Sequence, residues 1–191
     1  IFFSIIMNSY IKDIAYYVPE QILTNDDLSK LMDTSDEWIK TRTGISQRYT
    51  VGNTNLGPSD LAVNASNKLL NKLKFDKSDI DFVVFATSTP DYYVPGSGSI
   101  FQEKMGLDNI GVLDIRQGCA GFIYALSVAD KFIKSEVYKN ILVIGAEVQT
   151  TQLDFDDEGR GTAVLFGDGA AACLLSATNK EKGILSTHLH S

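Results

Sequence analysis

The sequence has 191 residues, of which 44% are apolar, 21% charged and 10% aromatic, a globular composition that excludes a disordered, collagen-like or coiled-coil chain. Its 17 Lys and Arg against 24 Asp and Glu leave a formal net charge of −7, which disfavours nucleic acid or an anionic membrane surface as partner. Two cysteines, Cys119 and Cys173, make no disulfide framework, and no apolar run approaches the ~20 residues that span a bilayer, so a reduced, cytoplasmic protein is expected.

The opening six residues lack the basic region and cleavage site of a signal peptide. Met7 reads as the natural start, with residues 1–6 lying upstream. Tyr10 to Val18 is β-rich and ends at Pro19. Thr24-Asn25-Asp26-Asp27 predicts a capped short helix through Met32. Ser35-Asp36-Glu37 caps a second helix that stops at Gly44. Pro58-Ser59-Asp60 opens a longer one, in which Leu61, Ala65, Leu69 and Leu73 recur every fourth residue. An alternation follows: a strand from Asp81 to Thr87, a helix from Ser97 to Met105 closed by Gly106, and a strand from Gly111 to Ile115. A helix striped by Phe122, Leu126, Ala129 and Ile133 then begins near Cys119, and Ile141 to Gly145 is another strand. Near-continuous apolar strands separated by helices predict an α/β fold, a mostly parallel mixed sheet covered on both faces. Thr162 to Phe166 and Ala170 to Ser176 read as an antiparallel hairpin about Gly167-Asp168-Gly169. Ile184 to His190 reads as a last strand. The sequence ends there without a cap or polar tail, which predicts a truncated chain.

The sharpest chemical feature is Arg116-Gln117-Gly118-Cys119-Ala120-Gly121. A strand ends, a glycine permits a tight turn, and a cysteine arrives where an amphipathic helix starts. Unpaired N–H groups at a helix N-terminus favour thiolate, the nucleophilic form. This spacing matches a nucleophile elbow with Cys in place of Ser. The competing reading is a buried structural cysteine, which suits Cys173 between Ala172 and Leu174 better.

Gly118 to Asp130 (GCAGFIYALSVAD) resembles the nucleophile segment of β-ketoacyl-acyl-carrier-protein synthase III, the initiating condensing enzyme of fatty-acid synthesis. Asp33 to Gly44 (DTSDEWIKTRTG), Gly159 to Gly169 (GRGTAVLFGDG) and Gly183 to His190 (GILSTHLH) agree with that family in the same order. The resemblance implies a thiolase-like fold of two duplicated halves, of which residues 7–191 would be the N-terminal one. It implies that Cys119 takes an acyl group from acyl-CoA and yields it to a carbanion from malonyl-acyl carrier protein. The histidine and asparagine that polarise the malonyl thioester would come from the second half. It further implies that Trp38 and Arg160 flank the CoA adenine, Thr34 bonds its edge and Arg42 meets a phosphate. Flat indole and guanidinium planes suit such a sandwich, although core packing of Trp38 and solvated arginines compete with it. No cofactor beyond the acyl-CoA substrate, and a homodimer, are implied.

Two departures bear on the primer. Arg116-Gln117 replaces the small residues usual before the nucleophile, which resembles a divergent branch serving secondary metabolism. Val94, before Pro95, replaces a larger aromatic in a loop that helps shape the partner's acyl pocket, so longer or branched acyl groups are expected. His188 and His190 would share a sheet face, but lack a third ligand nearby in sequence, and no metal site is expected. Lys68, Lys72, Lys74 and Lys77 read as a solvated helix face. The remaining alternative is a non-catalytic half-fold that binds a partner without completing a reaction.

Overall fold

The run Phe-Val-Val-Phe-Ala offers no polar side chain to water, so both its faces must be covered. It forms strand β4 (Phe82–Ala86), buried throughout. In the computed structural model, which describes residues 7–190, β4 pairs in parallel with both β5 (Gly111–Ile115) and β6 (Asn140–Val148). Strand β7 (Asp168–Thr178) lies antiparallel to β6, and β1 (Asn8–Tyr17) antiparallel to β7. The order is β1-β7-β6-β4-β5, the expected mixed sheet with its parallel part at the β6-β4-β5 end.

Alternation along the strands divides the core in two. Val83, Phe85, Leu142 and Ile144 pack with Leu61, Ala65 and Leu69 of α3 (Pro58–Leu73) and with Phe101 and Met105 of α4 (Ser97–Met105). Phe82, Val84, Ala86, Ile141 and Val143 pack instead with Ala125, Ala129 and Ile133 of α5 (Gly121–Lys134). Each buried Leu, Ile or Phe contributes about 1.5–3 kcal/mol, so these two layers, more than helix propensity, hold the fold. On the α5 side, Asp130 is wholly buried, accepting Ser9 Oγ at 2.6 Å and pairing with Lys131 and Lys134. Burial alone would raise its carboxyl, but those three partners outweigh it and hold it below the usual range.

The first helix is shorter than expected. Thr24 and Asp27 do form a capping box, yet α1 (Asn25–Leu28) ends before the turn that reaches Met32. Helix α2 (Asp36–Thr43) starts at its Ser35 cap and stops at Gly44, whose φ of 74° strains any residue with a Cβ. A two-stranded ribbon of β2 (Gln21–Thr24) and β3 (Gln47–Thr50) frames these helices. Four residues are too few to show a period in sequence. Arg48 of β3 is buried there and donates to Leu23 O, Asn25 Oδ1 and Val164 O.

Two sequence expectations are overturned. Residues 162–166 are not a strand, and there is no hairpin about Gly167-Asp168-Gly169. A single helical turn, α6 (Arg160–Ala163), occupies the segment, and β7 begins at Asp168 itself. The apolar run is real but short, and it is spent on one cluster: Ala163 and Val164 pack on Leu28, Met32 and Ile39. The Val164 carbonyl that a ladder would use is taken by Arg48. The run 184–190 is likewise not a strand. Ile184 N donates to Ser9 O, and the segment is otherwise tacked down by side chains, Lys134 on Ile184 O and Ser127 on Thr187 Oγ1. His188 and His190 are exposed and share no sheet face. The reading of residues 1–6 lies outside the described residues. The lysine cluster is partly engaged: Lys72 pairs with Asp13 at 2.8 Å, Lys68 lies over Tyr16, and Lys77 donates to Met105 O.

Candidate functional site

Strand β5 ends at Ile115, and the chain turns through Gly118 at φ 52° into a 3-10 turn, Gly118–Ala120, that feeds α5. A Cβ at Gly118 would meet open space, so the glycine is required by its backbone angle and not by crowding. The turn delivers Cys119 to the surface as an exposed free thiol. No side chain caps the start of α5, which leaves its first N–H groups without an intramolecular side-chain partner. Beside the thiol lies a cavity of about 180 Å³, floored by Ala86 of β4 and Gly145 and Ala146 of β6 and walled by Phe122 and Glu147. Small residues under the sulfur leave room for a ligand there.

Glu147 was not singled out from sequence. A lone carboxylate at the C-terminal end of an apolar strand, Ile-Leu-Val-Ile-Gly-Ala-Glu-Val, was the available signal. Its Oε1 accepts Ser88 N–H at 2.8 Å and its Oε2 accepts Thr89 Oγ1 at 2.7 Å.

Cys173 is the opposite case. It is fully buried in β7, and burial, with a smaller push from Asp13, raises its thiol to about 12. At pH 8 its thiolate fraction is then about 10⁻⁴. Iodoacetamide on the native chain should therefore label Cys119 at least about 100-fold faster than Cys173. Peptide mapping that found the two labelled at similar rates would contradict this assignment.

The second group of sequence-predicted residues also meets. Ser35 Oγ accepts Trp38 N–H and starts α2, presenting the Trp38 ring at the edge of the Leu28–Ile39–Val164 cluster. Arg42 stands 4.2 Å over that ring and Arg160 5.0 Å from it. Arg160 also donates to Asp33 O, and Asp33 N–H in turn donates to Asp157 Oδ1. Thr34 Oγ1 is covered and has no hydrogen-bond partner among the described residues. An aromatic ring and two guanidiniums thus meet in one place, four residues along the chain from Thr34.

Val94 is 85% exposed, at the tip of a loop with Tyr92 and Tyr93. The loop touches the nucleophile segment, since the Arg116 guanidinium lies 4.8 Å over the Tyr93 ring. A wider cleft of about 640 Å³ between residues 54–60 and 89–92 contains none of the predicted site residues. Among the described residues no three metal-ligating side chains cluster, and no helix is long and apolar enough to cross a membrane.

Comparison with known proteins points the same way. The family model described as 3-oxoacyl-[acyl-carrier-protein (ACP)] synthase III matches residues 113–191. A β-ketoacyl-[acyl-carrier-protein] synthase III of Xanthomonas euvesicatoria pv. vesicatoria is 49% identical over 92% of this chain and 53% of its own length. Among solved structures, the 3-oxoacyl-[acyl-carrier-protein] synthase III of Aquifex aeolicus superposes with a TM-score of 0.85 at 39% identity, over 91% of this chain and 55% of that one. A priming β-ketosynthase of a polyketide biosynthetic pathway also gives 0.85, at 31% identity over 91% of this chain and 51% of that one. The resemblance read from the sequence is thereby shown, and the fold is the thiolase-like one of these synthases. The chain spans about half the length of the curated relatives it matches.

Proposed function

We propose that this chain, similar over 92% of its length to about half of a β-ketoacyl-acyl-carrier-protein synthase III, is the N-terminal, acyl-accepting half of such a condensing enzyme. The observation that carries the reading is Cys119: an exposed thiol at the junction of β5 and α5, opening on a cavity with a floor of small residues. In the first step the Cys119 thiolate would attack the thioester carbonyl of an acyl-CoA. The carbonyl–sulfur bond to CoA breaks, CoA leaves as its thiol after taking up a proton, and the acyl group stays on Cys119 as a new thioester. Covalent capture divides the condensation into two easier transfers. Condensation with malonyl-acyl carrier protein needs the histidine and asparagine that the resemblance assigns to a second half.

CoA would sit at the Trp38 cluster. An adenine would stack between the Trp38 indole and the Arg160 guanidinium, Arg42 would supply positive charge for a phosphate, and Thr34 Oγ1, covered and without a partner among the described residues, would bond the adenine edge once uncovered. Base-on-aromatic stacking is worth about 1–3 kcal/mol. Trp38→Ala should accordingly weaken CoA binding to this chain by about 10- to 100-fold by calorimetry. Unchanged affinity would remove Trp38 from the site.

A homodimer in the cytoplasm, with Val94 of each copy at its partner's acyl pocket, belongs to the same reading. Strand β5 has a single neighbour in the sheet and Leu113, Tyr93 and Val94 are exposed beside it, which suits a second copy. The polar Arg116, held on Tyr93, favours a primer other than acetyl.

A further inference from the structure

Glu147 lines the cavity beside Cys119 and, among the described residues, is the only charged side chain that does so. It is half-buried, and its hydrogen bonds suit a carboxylate. Oε1 accepts Ser88 N–H at 2.8 Å, and Oε2 accepts Thr89 Oγ1 at 2.7 Å and Thr87 Oγ1 at 3.5 Å. The Thr89 hydroxyl already accepts Val148 N–H at 2.9 Å, which leaves its own proton for Glu147. Both carboxylate oxygens therefore face donors, where a protonated acid would turn its O–H toward one of them.

Those donors are neutral. They orient the charge without cancelling it, and among the described residues no Lys, Arg or His pairs with Glu147. Arg116, three residues before Cys119, lies over the Tyr93 ring and lines no part of the cavity. A charge in a partly water-excluded pocket acts over a longer range than one on the surface, because less solvent screens it. The thiol thus shares its cavity with small apolar side chains and one fixed negative charge. A neutral group entering there meets no opposition from that charge. A group with its own carboxylate meets like-charge repulsion and must give up water with no cation to receive it.

We propose that Glu147 is a specificity-determining residue that admits uncharged electrophiles to Cys119 and turns away those bearing a carboxylate. The inference rests on the acyl-transfer reading for its substrate class, neutral acyl groups as against dicarboxylic ones, but its first test does not. The chain is treated with iodoacetamide or iodoacetate, which are nearly equal in size. With either reagent the thiolate displaces iodide and forms the same S–CH₂ bond. Modification of Cys119 is followed by mass spectrometry with peptide mapping, and the amide-to-acetate rate ratio is divided by that of mercaptoethanol, a neutral thiol. The quotient cancels thiolate fraction and intrinsic reagent reactivity. The unsubstituted chain should prefer the amide by about tenfold more than mercaptoethanol does, and Glu147→Gln should bring that preference to within about twofold of mercaptoethanol's. Glu136→Gln removes the same charge beyond the far end of α5. That helix is about 20 Å long at ~1.5 Å per residue, well over the ~8 Å screening length at physiological salt, so this variant should keep the full preference. An unsubstituted chain no more selective than mercaptoethanol, an unchanged preference in Glu147→Gln, or an equal fall in Glu136→Gln overturns the proposal. If Glu147→Gln does not fold, the unsubstituted chain and Glu136→Gln decide it. From their CoA thioesters, butyryl should load on Cys119 and succinyl, equal in carbon count but carrying a carboxylate, should load only in Glu147→Gln; equal loading of both on the unsubstituted chain also overturns the proposal. The predicted reagent ratios in a chain that takes up neither acyl group would keep Glu147 as a charge filter and dismiss the acyl-transfer reading instead.

Discussion

Cys119→Ala should abolish acyl transfer from acyl-CoA to this chain, with a loss of at least about 10³-fold in the rate of adduct formation. The argument is one of chemistry. Alanine has no group that can form the new thioester, and the other thiol, Cys173, is buried among apolar side chains and pushed up to about 12. No second site can take over the role. The same substitution should leave thermal stability within about 2 °C, because Cys119 is exposed and surface changes away from special features cost within about 0.5 kcal/mol. That pairing separates a nucleophile from a structural cysteine, which would show the reverse. Acyl adduct persisting on the Ala variant would place the acceptor elsewhere.

The largest stability effect is expected far from the sulfur, at Asp168. Its carboxylate is buried and accepts Val51 N–H at 2.7 Å, Thr150 N–H at 2.9 Å and Thr150 Oγ1. Those donors lie in two places, the end of the β2–β3 ribbon and the turn after β6, and the carboxylate ties both to the first residue of β7. Asp168→Ala strands the Val51 and Thr150 N–H groups, while Thr150 Oγ1 keeps Thr50 Oγ1 at 2.9 Å, and a buried donor left unpaired costs about 1–3 kcal/mol. The two are neighbours and do not add fully, so a loss of about 2–5 kcal/mol is expected, or a melting temperature lower by about 10 °C. Asp168→Asn keeps one acceptor oxygen and should lose about half as much. A melt of Asp168→Ala within about 2 °C of the unmodified chain would show that the carboxylate holds nothing.

Asp168 also marks where reading the sequence stopped working. Local signals carried the elements that are set locally. Gly106 and the 97–105 pattern gave α4 to the residue, Ser35 and Gly44 bracketed α2, and the fourfold stripe of Leu61, Ala65 and Leu69 found the buried face of α3. The junction at Cys119 was legible for the same reason, since a strand, a glycine and a helix start are near neighbours. What failed were residues whose partners lie far along the chain. Gly167-Asp168-Gly169 has the composition of a hairpin turn, and only the bonds to Val51 and Thr150 make it the anchored start of a strand. Thr162 to Phe166 is an apolar run of strand length, but Arg48, 116 residues away, takes the Val164 carbonyl. Glu147 lies beyond the strand expected to end at Gly145, and its partners, Ser88 and Thr89, lie about 60 residues earlier. For Trp38 and Arg160, spacing alone left core packing and solvation open. The resemblance joined them, and the structure places the guanidinium 5.0 Å from the ring.

The most direct test of the account is the mass of the chain after incubation with a panel of acyl-CoAs, followed by peptide mapping at acidic pH to preserve thioesters. A single acyl group on the peptide containing Cys119, removable by hydroxylamine and more abundant with longer or branched acyl groups than with acetyl, is the predicted result. An intact chain of unchanged mass, or an adduct on any peptide other than the one holding Cys119, would contradict it.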